Sequence, residues 1–399
     1  MFSKKSTNAI NIISGVSMVG MGVGSLALIL VLSVFNGFEG LVLSLYNSFY
    51  PEVKILPEKG KTFTLSSDTL DQIRSMEGVA HISEVLEQKA LAKTSKDEQI
   101  ITLKGVDSNY VHVTGVDSAV ERGEFLLKQG PEHYAVIGRG VEAKLGLNVS
   151  GNYPAPLQVY MPKRGDNTYI NPSRAFNREP IVPKGVFEIQ QEFDSKYVLV
   201  PIDFARELLE YDQEVSAIEL SIKANVGQGK VIHNLEALLG DQFVVQNRYQ
   251  QNRFLYKVMQ TEKWAVYAIL TLILIIAAFN IIGSLTMLVI DKAKDIAILK
   301  VMGATKGLIR LIFLMEGMLT SLIGAGTGVF VAFLIVLAQK YFALIQIQGA
   351  GTFVVQQYPV ELEEADFALV LVTVIVISLL ASWLPANRAA NQRWLIQEE

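Results

Sequence analysis

Four stretches of this chain run without a charged residue for longer than a bilayer is thick: Ser6 to Phe38 (33 residues), Trp264 to Ile290 (27), Gly317 to Gln339 (23) and Phe367 to Asn387 (21). A helix needs about 20 residues to cross roughly 30 Å of hydrocarbon. Only helices and closed barrels satisfy their own backbone in lipid, and these runs lack the alternation of barrel strands. Four transmembrane helices are therefore expected. Lys4 and Lys5 suit the basic start of a secretory signal, but the apolar stretch behind them is too long and no A-x-A site follows it, so it reads as an uncleaved helix. Charged residues make up only 19% of the chain and mean hydropathy is +0.32, which argues against a purely soluble protein.

The short loops set the expected orientation, because Lys and Arg are retained on the cytoplasmic side. Asp291 to Glu316 carries Lys292, Lys294, Lys300, Lys306 and Arg310, whereas Lys340 to Asp366 sets Lys340 against Glu361, Glu363, Glu364 and Asp366. Both termini then lie inside, in agreement with Lys4, Lys5, Arg388 and Arg393. The fold class that follows is a membrane α-helical protein with a large α+β domain exported between the first and second helices. The expected division is 6–38 first helix, 39–263 exported domain, 264–290 second helix, 291–310 cytoplasmic coupling segment, 311–339 third helix, 340–366 short external loop, 367–387 fourth helix and 388–399 cytoplasmic tail.

Leu41, Leu45 and Phe49 continue the first helix at helical spacing until Pro51, and Phe254, Leu255, Val258 and Met259 form an apolar approach to the second. These segments read either as outward stalks or as amphipathic caps resting on the membrane. Between them, Val53–Leu56, Ile100–Gly105, Leu157–Met161, Lys196–Val200 and Ala217–Ile222 read as strands, and Asp68–Met76, Pro201–Tyr211 and Gly229–Leu239 as helices. Pro162 to Pro183 holds four prolines with several Asn and Arg, and reads as a long irregular loop, either functional or a floppy insertion. No internal repeat appears.

Several chemistries are excluded. A net charge of -4 provides no basic field for nucleic acid, and the absence of cysteine removes disulfides, thiolate catalysis and Cys-ligated metals. His81, His112, His133 and His233 are scattered. Gly227-Gln228-Gly229-Lys230 is the nearest approach to a phosphate-binding loop, but Val231 follows and Ala224 stands at the first-glycine position. No hydrolase or zinc-enzyme signature is present, so no catalytic, cofactor or metal residue is assigned. Gly20, Gly22, Gly24, Gly324, Gly326 and Gly328 suit close helix packing. Asn280 and Glu316 are costly in hydrocarbon, and read either as functional groups or as an interhelical hydrogen bond and an interfacial carboxylate. In the cytoplasmic segment, Asp295 gives an acidic helix start, Ile296, Leu299 and Met302 repeat on one face, and Gly303 suits a helix stop. Joined tightly to two membrane helices, this short helix is either a docking point for a cytoplasmic motor or an ordinary surface helix.

Asp295-Ile-Ala-Ile-Leu-Lys-Val-Met-Gly-Ala-Thr305, with Glu316-Gly317, resembles the coupling segment of the FtsX/MacB-like ABC permeases. Within that superfamily, Ser33-Val34-Phe35-Asn36-Gly37-Phe38-Glu39 is similar to the S-V-M-N-G-F-E signature of the lipoprotein-releasing LolC/LolE family. Asn11-Ile12-Ile13-Ser14, Lys104-Gly105-Val106-Asp107, Ala278-Phe279-Asn280-Ile281 and Pro385-Ala386-Asn387-Arg388 extend the match over almost the whole chain. The resemblance implies a permease subunit in the bacterial inner membrane, with 39–263 a periplasmic MacB-like core domain. It implies a separate cytoplasmic LolD-like ATPase that binds ATP and Mg, a second permease subunit, a LolA-like periplasmic carrier and lipoprotein substrates. It further implies that closing ATPases move the stalks by mechanotransmission, so that force releases the lipoprotein.

In residues, this implies ATPase coupling through Asp295, Ile296, Leu299, Met302, Gly303 and Glu316, and carrier docking through Tyr169, Ile170, Pro172 and Phe176 in the proline-rich segment. Acyl chains are expected at Val31, Val34, Phe35, Ile269 and Ile273, since apolar surface at that depth accepts a lipid tail at little cost. Members of the family carry an amphipathic segment ahead of the Lys-Lys-Ser, whereas this sequence begins Met1-Phe2-Ser3-Lys4-Lys5; either a late start or a missing elbow fits. An efflux or signalling permease of the superfamily, and a motor-free membrane-anchored sensor, are the competing readings.

Overall fold

The computed structural model describes residues 8–149, 155–163, 175–346 and 357–391. The chain forms two compact units, residues 42–256 and residues 1–41 with 257–399. The first helix, α1 (Asn8–Asn47), is followed in order by β1 (Val53–Pro57), α2 (Ser67–Ser75), β2 (Val79–Lys93), β3 (Glu98–Val106), α3 (Tyr110–Val113), β4 (Val120–Gly123), β5 (Lys128–Gln129), β6 (Glu132–Gly138) and α4 (Arg139–Leu145). Then come β7 (Leu157–Pro162), β8 (Phe176–Phe187), α5 (Gln191–Asp194), β9 (Tyr197–Pro201), α6 (Ile202–Leu209), β10 (Ala217–Ile222), α7 (Gln228–Leu239), β11 (Phe243–Asn247) and α8 (Arg248–Gln251).

In the 42–256 unit the strands make one mixed sheet in the order β11-β1-β10-β2-β3-β9-β6-β8-β4, with β5 beside β6 and β7 bridging β2 and β8. β3 with β9 and β6 with β8 run parallel. The long β2 serves several neighbours: its first half pairs β10 (Val85 opposite Ala217), and its last residues pair both β3 and β7 (Leu91 opposite Ile100 and Tyr160). Alternation decides the faces, as in β1, where Val53 and Ile55 are buried and Lys54 lies between them. α6 lays Phe204, Ala205, Leu208 and Leu209 into the core over β3, where only a hydrogen at Gly105 leaves room for Ala205. α2 is capped by Ser66, whose hydroxyl accepts the Thr69 N–H at 3.2 Å.

The strands and helices expected from the sequence here appear as β1, β3, β7, β9, β10, α2, α6 and α7. One expectation is corrected. The irregular loop expected over Pro162–Pro183 becomes regular at its far end, since β8 starts at Phe176 opposite Pro162. The prolines mislead because Pro183 sits at a register shift, opposite Ala135, where the ladder is already broken.

The second unit holds α9 (Arg253–Asp291), α10 (Ala293–Val301), α11 (Lys306–Phe342) and α12 (Glu364–Asn391) with the apolar part of α1. α1, α9, α11 and α12 are each long and apolar enough to cross a membrane. Met21, Leu28 and Leu32 of α1 pack with Leu274 and Ile281 of α9, Ala325 and Ala332 of α11, and Val370 and Val374 of α12. α1 and α11 approach backbone to backbone: a side chain at Gly324 would strike Met18, and one at Gly328 would strike Gly22. In lipid, where no hydrophobic drive joins helices, such small-residue seams supply the packing. Gly326 takes no part, having open space beside it.

Candidate functional site

α10 is a nine-residue helix slung between α9 and α11. Its hydrogen bonding runs on from α9, with the Ile296 N–H bonding to Lys292 O at 2.9 Å, and it stops at Gly303, whose φ of +93° puts the backbone in the left-handed region. Thr305 then caps α11, its hydroxyl accepting the Leu308 N–H at 3.3 Å. Ile296 is buried among Val289, Ile309, Phe313, Ala386 and Ala389, and Ala297 is buried as well. Leu299 and Met302 are exposed, together with Ile298 and Val301.

The helix is thus apolar on two sides: Ile296 fixes it to α9, α11 and α12, and an outward patch of Ile298, Leu299, Val301 and Met302 is left bare. The sequence reading missed Ile298 and Val301, although their spacing of three residues would have found them. Asp295 lies at the helix start and pairs with Lys292 at 3.1 Å. Glu316 is half-buried on α11, and its carbonyl accepts the Thr320 hydroxyl at 2.9 Å.

Val31 on α1 and Ile269 and Ile273 on α9 are exposed, while Val34 and Phe35 are half-buried. α1 meets α9 where Gly24 lies against Leu274. Trp264 and Tyr267 stand edge to face at the head of the apolar part of α9, and the Tyr267 hydroxyl bonds Thr373 on α12. Asn280 lies on the exposed side of α9 beside Gly20.

A polar knot joins three helices of this unit. The Asn36 amide on α1 donates to Asp366 Oδ2 on α12 at 2.6 Å. Lys263 Nζ on α9 lies 3.5 Å from Asp366 Oδ1 and 3.2 Å from Glu363 Oε2. The Glu361 N–H bonds to Ser33 O at 2.9 Å, and Gly37 sits so close to Pro359 that any side chain there would collide with its backbone. Asn36 is also the central residue of the Ser33-Val34-Phe35-Asn36-Gly37-Phe38-Glu39 motif. The motif therefore buries a hydrogen-bonding residue and brings the chain around Pro359 against α1.

In the sheet unit, Phe176 is exposed at the start of β8. Tyr169, Ile170 and Pro172 lie outside the described residues. A buried charge cluster draws on β1, β10 and β3, where β1 pairs β10 and β2 runs between β10 and β3. Glu219, fully buried, accepts from Lys104 at 3.1 and 3.3 Å and pairs with Lys54 at 3.3 Å. The Lys104 ammonium also lies 4.8 Å from the ring centres of both Phe49 and Tyr110. Burial pushes the Glu219 carboxyl upward, but the two lysines outweigh it and hold the group below its usual range. Phe49 packs in turn on Phe193 and Tyr197 with ring centres 4.5 and 4.6 Å apart. Among the described residues, no three His, Asp or Glu side chains are grouped to hold a metal.

Known families and proteins match most of this sequence. The family model for the MacB-like periplasmic core domain matches residues 14–238, more than half the chain, and that for the FtsX-like permease C-terminal matches residues 267–393. The lipoprotein-releasing system transmembrane protein LolE of Haemophilus influenzae is 26% identical over 414 residues, covering 97% of this chain and 94% of that one. LolC of Neisseria meningitidis serogroup B is 25% identical over 404 residues, covering 98% and 94%. The crystal structure of the periplasmic region of MacB from Actinobacillus actinomycetemcomitans aligns with a TM-score of 0.37 at 12% identity, covering 57% of this chain and 97% of that one.

Proposed function

The chain belongs to the MacB-like, FtsX-type permease family and is an ABC transporter permease of the LolC/LolE type, and from that membership we propose that it extracts lipoproteins from the outer leaflet of the inner membrane for hand-over to a periplasmic carrier. Both termini and α10 lie in the cytoplasm, and the sheet unit lies in the periplasm. A separate cytoplasmic ATPase binds ATP and Mg. A second permease subunit completes the assembly, and the carrier docks on the segment that includes Tyr169, Ile170, Pro172 and Phe176. Acyl chains rest against Val31, Val34, Phe35, Ile269 and Ile273. Closure of the ATPases does the work by moving the helices that lead to the sheet unit.

One observation carries this reading: α10 presents Ile298, Leu299, Val301 and Met302 to water while Ile296 is locked into α9, α11 and α12. An apolar patch in water is a docking surface in waiting, and this one is fixed to the helices that a motor has to move. Asp295 and Gly303 set where the helix starts and stops, and Glu316 lies further along the same α11. Leu299→Asp places an unpaired charge in the partner's apolar groove, which costs at least several kcal/mol. The variant is expected to insert normally and to lose co-purification with the ATPase at least tenfold. Retention of the ATPase at the wild-type ratio rejects the docking role. ATP hydrolysis by the purified complex that does not accelerate on adding lipoprotein rejects the transport role.

A further inference from the structure

Among the described residues Lys263 is the only cation in the knot that joins α9 and α12, and it has two carboxylates to choose between: Asp366, nine-tenths buried, and Glu363, half exposed. Asn36, itself 3% exposed, holds the other oxygen of Asp366 through its amide N–H, while its own Oδ1 has no partner. A buried ion pair contributes little net stability, because loss of hydration offsets the attraction. A buried acceptor left without a donor is a cost the folded state carries. These groups are thus poorly explained as stabilising elements and well suited to a contact that can be undone. Glu363, one helical turn ahead of Asp366, gives Lys263 a water-exposed partner to keep when Asp366 lets go.

The three ties act on different helices. Asn36 holds α1, Lys263 holds α9, and both end on Asp366 of α12; the Glu361 N–H to Ser33 O bond fastens the segment leading into α12 onto α1. Releasing Asp366 frees α1 and α9 together. We propose that Asn36, Lys263 and Asp366 form a releasable lock, shut in this structure, that clasps α1 and α9 to α12. Its use is to open when an acyl chain enters along α1 and α9, a role that rests on the transport reading above.

The chain has no cysteine of its own, so the lock is open to disulfide trapping in the full-length protein in native membranes. Ser33→Cys with Glu361→Cys places thiols on residues whose backbones are hydrogen-bonded. Oxidation is expected to cross-link most of the protein when the lock is intact. Lys263→Met or Asp366→Asn is expected to lower the cross-linked fraction three- to tenfold. The exchange Lys263→Asp with Asp366→Lys is expected to restore it to within twofold, because an ammonium at 366 can also donate to the idle Asn36 Oδ1. Should Asp366→Asn fail to insert, Lys263→Gln breaks the same contact from its wetter side.

Equal cross-linking in wild type and both single variants, or no recovery on exchange, overturns the lock. This arm needs neither ATPase nor lipoprotein. In the assembled transporter, the cross-linked form is expected to hydrolyse ATP and to release lipoprotein at least tenfold more slowly than after reduction. Undiminished release while cross-linked overturns the gating role. Absence of release from the reduced form defeats the transport reading instead.

Discussion

Glu219 and Asp366 are both buried carboxylates beside lysine, and their settings differ in a way that follows from the solvent each unit answers to. Glu219 is surrounded: two lysines, both of its oxygens engaged by Lys104, and aromatic rings under that ammonium. The sheet around it packs Leu86, Leu103, Ile137, Val198 and Leu220 into one apolar core, whose burial supplies the stability that a charge in the interior consumes. Asp366 shares its one lysine with Glu363, beside it Asn36 Oδ1 has no partner, and elsewhere in the same unit neither do the hydroxyls of Ser25, Ser378 and Ser382. Helices in lipid gain nothing hydrophobic by meeting each other, so small residues and sparse polar contacts decide how they fit. One unit is built to stay as it is, and the other to have alternatives.

The largest effect expected to test this contrast is at Lys104. Lys104→Met strips Glu219 of its closest partner and should cost about 3–5 kcal/mol, seen as a drop of roughly 10 °C in the unfolding of the sheet unit followed by tryptophan-independent calorimetry of the full-length protein. Adding Glu219→Met should recover more than half of that loss. A single variant as stable as wild type would mean that the two carboxylates are alike after all. Next is the seam: Gly328→Leu drives a side chain into Gly22 and should cost about 1–3 kcal/mol, read as loss of detergent-resistant monomer with the sheet unit's melting unchanged.

A third probe uses pH. Burial pushes Asp194 up to about 6, against the hydrogen bond its Oδ1 accepts from the Ile189 N–H. Because the folded state holds this proton more tightly than the unfolded chain, stability falls as pH rises from about 4 to 6 and the penalty is complete above that. Asp194→Asn should therefore gain on wild type by about 1–2 kcal/mol between pH 4 and pH 7 in thermal melts; a difference independent of pH contradicts it. The smallest shift is expected at Lys263→Met, under about 1 kcal/mol in global stability because that lysine reaches solvent, even though it loosens the lock.

The sequence made the lipid-crossing helices plain, since a run such as Trp264–Ile290 has no other soluble or membrane explanation. It also made plain those strands whose apolar residues alternate, as in β1. It was silent on the Lys104 cluster, because a lysine between apolar neighbours reads as the wet face of a strand until β10 is known to lie one strand away from β3, across β2. The knot was equally hidden: Asn36 and Asp366 are 330 positions apart, and nothing local links them. At α10 the pattern of Ile296, Leu299 and Met302 gave the helix and its end correctly, but a segment with apolar residues all round has no single face to read. Only the surroundings of Ile296 show which side is inward.

That two-sidedness has a price for the cell. On the docking proposed above, a subunit synthesised without its ATPase leaves Val301 and Met302 bare, and such chains should be stickier and more readily handed to proteases than their folded stability would suggest. Supply of the covering protein, more than the strength of the fold, should then set how much of this one accumulates.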